Sequence, residues 1–316
     1  MKDVPRPETM LLHIPDGFLS VGVALACWVL MVLVQGLASR RALDVQLGGR
    51  APLLGIMAAF IFAAQMINFP VAGGTSGHLL GGTLAAIVLG PWPAMLAMAA
   101  VIGTQAVLFQ DGGILALGAN ILNMGVATVA IGFGVYRPFA GASRPIRLGA
   151  AAVGAWLSVV ASAALTAIQL AVSGTVAFAL VMPAMVGVHT LIGVGEALIT
   201  VAALSFILST RPDLIDATAG AGGRMWSAVG LGVALIAAAL SPFASADPDG
   251  LERVAEDLGF EGLATSAPFA VLGDYLIPGI EDPALATILA GVLGMTVVLG
   301  LAIGASRLWR REPAPG

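Results

Sequence analysis

Apolar runs of about twenty residues recur along this chain with almost no charge inside them, the length an α-helix needs to cross a bilayer core. Such a segment has no water to satisfy its backbone and hides its polar groups in a helix. The 316 residues are 59% hydrophobic and only 10% charged, with a mean hydropathy of +0.98. Soluble domains carry roughly 25% charged residues, so the fold class is all-α, a polytopic helical membrane protein. The 41 glycines suit that class, because small residues let membrane helices approach closely. Aromatic residues, at 6%, are too few for the stacked surfaces that hold nucleic acid or sugars, and no nucleic-acid partner is expected.

Spans are predicted at 18–39, 51–70, 93–109, 114–136, 149–172, 175–208, 226–245 and 284–307, with a short helix at 78–90 broken by Pro91-Trp92-Pro93. That makes about nine helices, arranged as seven plus two. The run 175–208 is longer than one membrane needs, and Pro183 reads as a kink in one tilted helix rather than a break between two. With the amino terminus outside, eleven of the fourteen basic residues, Arg40, Arg41, Arg50, Arg137, Arg144, Arg147, Arg211, Arg224, Arg307, Arg310 and Arg311, face inward. Only Lys2, Arg6 and Arg253 fall outside, and the reversed topology violates the positive-inside rule. Residues 1–12 contain no apolar core of a cleavable signal.

The composition divides the chain into a seven-helix unit at 1–210, a cytoplasmic linker at 211–225 and a two-helix segment at 226–316. The outer loop of that last segment, at about 246–283, holds half of the eighteen acids: Asp247, Asp249, Glu252, Glu256, Asp257, Glu261, Asp274, Glu281 and Asp282. It is either a solvated loop or an antenna that concentrates cations. Pro248-Asp249-Gly250 reads as a turn. The lone cysteine, Cys27, lies within an apolar run and reads as a small hydrophobe.

The polar stretch Phe69-Pro70 to Gly73-Gly74-Thr75-Ser76-Gly77-His78 interrupts the apolar pattern. Irregular glycine-rich backbone at membrane depth is tolerated where it is buried in protein or lines a cavity. Thr75-Ser76-Gly77 reads as the cap of the next helix, with His78 at its start. That histidine is either a satisfied polar residue or a ligand for a borderline metal such as nickel or cobalt. His13 precedes the first span on the same outer face, with Asp16 a plausible N-cap for that helix. Two imidazoles make a sparse metal site, which backbone nitrogen can complete in square-planar geometry. Asn120 and Asn123, three apart on one helix face, either glue helices or orient a ligand loop. His189 and Glu196 share a helix face about 10 Å apart, too far to pair. An intramembrane carboxylate is by default a functional candidate. No phosphate loop or nucleophile–base pair is visible, so any ATP hydrolysis belongs to a partner.

His13-Ile14-Pro15-Asp16-Gly17-Phe18-Leu19, Phe69-Pro70 through Gly81-Gly82, Gln110-Asp111-Gly112-Gly113 to Asn123-Met124-Gly125, and His189-Thr190 to Glu196-Ala197 together resemble the CbiM/NikM family. These are the membrane substrate-binding components of energy-coupling-factor cobalt/nickel transporters. The likeness covers about residues 11–210, while 226–311, with Pro248-Asp249-Gly250-Leu251-Glu252, resembles the family's two-helix auxiliary subunit fused behind it. It implies cobalt(II) or nickel(II) as transported substrate, no organic cofactor, and a membrane coupling protein plus ATP-binding-cassette ATPases as partners. It implies a bacterial or archaeal plasma membrane, with lipid around the helices. It also implies a planar, nitrogen-rich site built by the amino terminus, the backbone nitrogen and ring of His13, and His78. In the family the chain begins Met-His; here twelve residues precede His13, and Leu12 stands in the Met position. Asp16, Thr75, Ser76, Asn120, Asn123, His189 and Glu196 are expected to support or gate the site. An ATP-independent divalent-cation carrier or channel and a membrane metalloenzyme are the competing functions. No general base accompanies the outer histidines, which disfavours the enzyme.

Overall fold

The computed structural model describes residues 13–44, 51–215, 224–265, 269 and 271–308. Lys2, Arg6, Leu12, Arg50, Arg310, Arg311 and most of the linker lie outside the described residues. The helices are α1 (Val21–Asp44), α2 (Ala51–Gln65), α3 (Gly82–Leu89), α4 (Pro91–Thr104), α5 (Leu117–Asn120), α6 (Thr128–Tyr136), α7 (Arg144–Val172), α8 (Phe178–Thr210), α9 (Arg224–Leu240), α10 (Gly250–Leu258) and α11 (Pro283–Leu308). A two-stranded antiparallel hairpin, β1 (Phe69–Val71) and β2 (Thr75–Gly77), turns through Gly73 and Gly74, both at positive φ.

Among the described residues, six helical stretches are long and apolar enough to cross a membrane: Val21–Ala42, Pro91–Phe109, Leu117–Phe139, Arg144–Val172, Phe178–Thr210 and Pro283–Ala305. α2 and α9 are apolar but shorter, and α8 runs unbroken through Pro183. The helix expected at 78–90 is only the eight residues of α3, roughly 12 Å long. His78 is not at its start. Residues 78–81 are irregular and lead into α3, whose far end packs Ile87 against Tyr136, Ala151 and Leu204 at the opposite end of the bundle. Loop and half-helix together make this passage, which is why the apolar pattern alone suggested a single helix. Every residue of α3 is buried, so its irregular approach is shielded by protein.

Small residues make that enclosure possible. A β-carbon on Gly82 would fall on Thr128 Oγ1, and one on Gly132 would fall on Thr83 Oγ1, so α3 and α6 touch backbone to side chain. Gly132→Ala is therefore expected to cost about 1–3 kcal/mol through overpacking. Thermal unfolding of the purified variant in detergent checks this. An unchanged melting temperature would show that α3 and α6 yield more freely than their contacts suggest.

Two π-helical turns, Gln105–Phe109 and Ile121–Ala127, flank the loop at 110–116. Such insertions re-aim side chains and recur near functional sites. α9 and α11 pack on α2, where a β-carbon on Gly294 would strike the Phe62 ring and one on Gly230 would meet Ile56 Cγ2. The connection between α9 and α11 lies across the end of the bundle that carries His13. Arg144 bonds Ser205 and Arg147 bonds Tyr136 at the other end.

Candidate metal centre

Residues 13–20, ahead of α1, form a turn held by the segment 113–120. Ile14 N–H donates to Asn120 Oδ1, and Asn120 Nδ2 donates to Ile14 O, both at 3.0 Å. Gly113 N–H also donates to Ile14 O. Asp16 does not cap α1; its carboxylate accepts from Ile114 N and Ala116 N, each at 3.0 Å, across the chain. Ser20 is the cap instead, its hydroxyl accepting from Val23 N. The spacing put a capping residue near α1 but could not say which helix start it faces. Gly112 and Gly113 permit the approach: a β-carbon on Gly112 would sit 2.8 Å from His13 Cβ, and one on Gly113 would overlap Asp16.

This packing buries the His13 ring. Its Nδ1 donates to Asp111 Oδ1 at 2.6 Å, while Nε2 has no hydrogen-bond partner among the described residues. Burial pulls the His13 pKa down, but the Asp111 carboxylate outweighs it and holds the ring above its ordinary value. The His78 ring lies 5.7 Å from that of His13, centroid to centroid, and its Nδ1 donates to Leu79 O at 3.0 Å. His189 Nδ1 donates to Met185 O at 2.8 Å. Carbonyl and carboxylate oxygens only accept, so Nδ1 carries the proton in each ring and Nε2 is the nitrogen able to bind a metal. All three histidines of the chain, with Asn120, Asn123 and Asp249, line one cavity of about 60 Å³. That is room for an ion and a little water.

One finding departs from the implied planar site. A chelate closed through the backbone nitrogen of His13 uses its near ring nitrogen, Nδ1, and that atom faces Asp111. Among the described residues, no three His, Cys, Asp or Glu side chains converge to hold an ion by themselves. The cavity thus offers two adjacent imidazoles, with His189 and Asp249 on its wall.

The loop carrying His78 is fixed from two sides. Glu196, buried in α8, accepts from Leu80 N at 2.6 Å and Gly81 N at 2.9 Å. Thr75 and Ser76 do not cap a helix. They lie in β2, where Ser76 N and Thr75 Oγ1 donate to Pro248 O and Ser76 Oγ donates to Asp247 O. Asn123 exchanges hydrogen bonds with Gln169 and donates to Thr166, so it ties the π-turn to α7.

Pro248-Asp249-Gly250 is not a simple turn. Asp249 is the N-cap of α10 in a capping box with Glu252, and it is buried beside the histidines. Burial raises the Asp249 pKa, opposed by His78 and His13. The Asp-x-x-Glu spacing ahead of Val254 and Ala255 is the signal that would have found it. Asp111 and Tyr275 also contribute, the latter donating to Asp111 Oδ2 at 2.8 Å. Glu256, Asp257, Glu261, Asp274, Glu281 and Asp282 are exposed, with Asp257 paired to Arg253.

Residues 13–214 match the family described as cobalt uptake substrate-specific transmembrane region, CbiM, and residues 224–311 match the PDGLE domain. A provisionally named fused nickel transport protein NikMN of Archaeoglobus fulgidus is 37% identical over 304 residues, covering 95% of this chain and 99% of its own. The fused nickel transport protein NikMN of Rhodobacter capsulatus is 30% identical, with 95% and 99% covered. A crystal structure of a truncated transition metal transporter superposes with a TM-score of 0.57 at 32% identity, over 62% of this chain and 98% of that one.

Proposed function

We propose, since the chain belongs to the CbiM family of cobalt uptake substrate-specific transmembrane regions and carries a PDGLE domain behind it, that it is the substrate-binding subunit of an energy-coupling-factor importer. It is an integral membrane protein of a bacterial or archaeal plasma membrane and a component of cobalt or nickel transport, as its relatives are named. In this reading cobalt(II) or nickel(II) is captured at the extracytoplasmic end of the bundle. The positive-inside rule supports that orientation, because Arg144 and Arg147 sit at the end opposite the histidines.

The observation that carries the reading is the His13 ring, its Nδ1 held by a carboxylate and its buried Nε2, beside His78, without a hydrogen-bond partner among the described residues. A metal-ligating imidazole is usually held in this way, by an outer carboxylate on its second nitrogen. Nitrogen donors suit nickel and cobalt. Backbone nitrogen can complete such a set in square-planar geometry. The seven-helix unit at 1–210 then holds the ion, and the two-helix segment at 226–316 covers it.

Energy comes from a coupling protein and ATPases, because the sequence carries no phosphate loop. Vesicles containing this chain, its coupling protein and the ATPases are expected to accumulate nickel(II) or cobalt(II) only when supplied with ATP. Vesicles with this chain alone should show binding but no sustained uptake. Full-rate uptake by the chain alone would establish the ATP-independent carrier instead.

A further inference from the structure

The fused segment reaches the His13 ring through one carboxylate. Tyr275 donates from its hydroxyl to Asp111 Oδ2 at 2.8 Å, and Asp111 Oδ1 accepts from His13 Nδ1 at 2.6 Å. We infer that Tyr275 is a positioning residue for His13, fixing the Asp111 carboxylate and through it the direction of His13 Nε2. The inference rests on His13 being a ligand, as argued above.

The tyrosine is built into place. Its ring stacks on Phe109, with centroids 4.6 Å apart and planes 12° from parallel. Leu272 N donates to Leu108 O just before it. Asp274 and Tyr275 adopt φ of 55° and 56°, a region that disfavours side-chain-bearing residues and persists only where the surroundings enforce it. Packing explains the ring, but not why the hydroxyl meets the one carboxylate bonded to His13. A carboxylate bonded only to an imidazole can rotate about its Cβ–Cγ bond. A second donor on its other oxygen stops that rotation and fixes the imidazole's aim.

The fused segment therefore acts on metal affinity itself, beyond any cation capture by its exposed acids. Four full-length proteins test this by calorimetric titration with nickel(II) and cobalt(II): wild type, Tyr275→Phe, Asp111→Asn and the double variant. Asp111→Asn is expected to weaken binding about 10- to 100-fold, and Tyr275→Phe by roughly three- to tenfold, being one bond further out. In the Asp111→Asn background the tyrosine substitution should change nothing more. The visible ligand-field band of bound cobalt(II) should shift in Tyr275→Phe. It should stay put in Phe109→Leu, which loosens the ring stack but keeps the hydroxyl.

Additive effects in the double variant, or a Phe109→Leu band shift matching that of Tyr275→Phe, would make the tyrosine a packing residue and overturn the inference. So would unchanged affinity and spectrum in Tyr275→Phe while His13→Ala loses binding, and the metal site itself would then stand. Wild-type affinity in His13→Ala would instead remove the ligand assignment on which the inference depends.

Discussion

His78→Ala is expected to abolish high-affinity nickel(II) or cobalt(II) binding while leaving the protein folded. The His13 and His78 rings lie 5.7 Å apart in a cavity lined by the chain's three histidines, so losing either removes a large share of its imidazole donors. A loss of at least about a hundredfold is expected, since disturbing an outer partner alone typically costs 10- to 100-fold. The fold should survive because Glu196 and the Pro248 carbonyl hold the loop through the backbone of Leu80, Gly81 and Ser76 and the Thr75 hydroxyl. His13→Ala should lose binding similarly. It leaves Asp111 buried with Tyr275 as a remaining donor, so a modest drop in melting temperature is expected as well. A pH series adds a second check on the wild type. Protons and metal compete for His13 Nε2, and Asp111 holds the ring's pKa above its ordinary value despite burial. Affinity should therefore fall as the pH is lowered through that raised value. A folded His78→Ala protein that binds at full strength would place the ion elsewhere.

Hydropathy made most of the fold legible, because a span announces itself by length and lack of charge. It failed at residues 78–90, where four irregular residues and an eight-residue helix share one passage. Apolar composition looks the same whether the backbone is helical or shielded by neighbouring helices. The site was legible as residue types and faces, but not as partners. His13 and His78 stood out as histidines in polar breaks, whereas Asp111 stood out only within the stretch Gln110-Asp111-Gly112-Gly113. Its role depends on Nδ1 of a residue ninety-eight positions away, a contact that no local spacing encodes. Asn120 and Asn123 divide between the two readings given to both: the first pairs with the His13 turn and the second ties helices together. They stand only three positions apart, yet the π-turn that begins at Ile121 gives each a different neighbour. The acidic loop misled for a related reason. Its composition describes the exposed carboxylates well, and it conceals that Asp249 turns inward to cap α10.

Glu196 should produce the largest change in stability. The carboxylate is fully buried, and its two oxygens accept from Leu80 N and Gly81 N in the irregular segment that follows His78. At that depth water does not readily replace it, so the two N–H groups depend on this side chain. Glu196→Ala strands both donors and is expected to cost about 3–5 kcal/mol, each unsatisfied group contributing roughly 1–3. Glu196→Gln is the more informative change. The amide keeps the size and one accepting oxygen, but turns an NH2 toward the other backbone N–H, so one bond is lost and two donors face each other. Leu80 is two residues from His78, so any shift in the segment moves the imidazole. The glutamine variant should remain folded with a lowered melting temperature and bind nickel(II) or cobalt(II) about tenfold more weakly. Glu196→Asp, one methylene shorter, should fall between glutamine and alanine because its oxygens no longer reach both donors. Melting curves beside calorimetric titrations of the three variants check the order. Wild-type stability and affinity in Glu196→Gln would mean that the loop keeps its register without the charge. The cost of a carboxylate inside the bundle would then need a reason other than holding His78 in place.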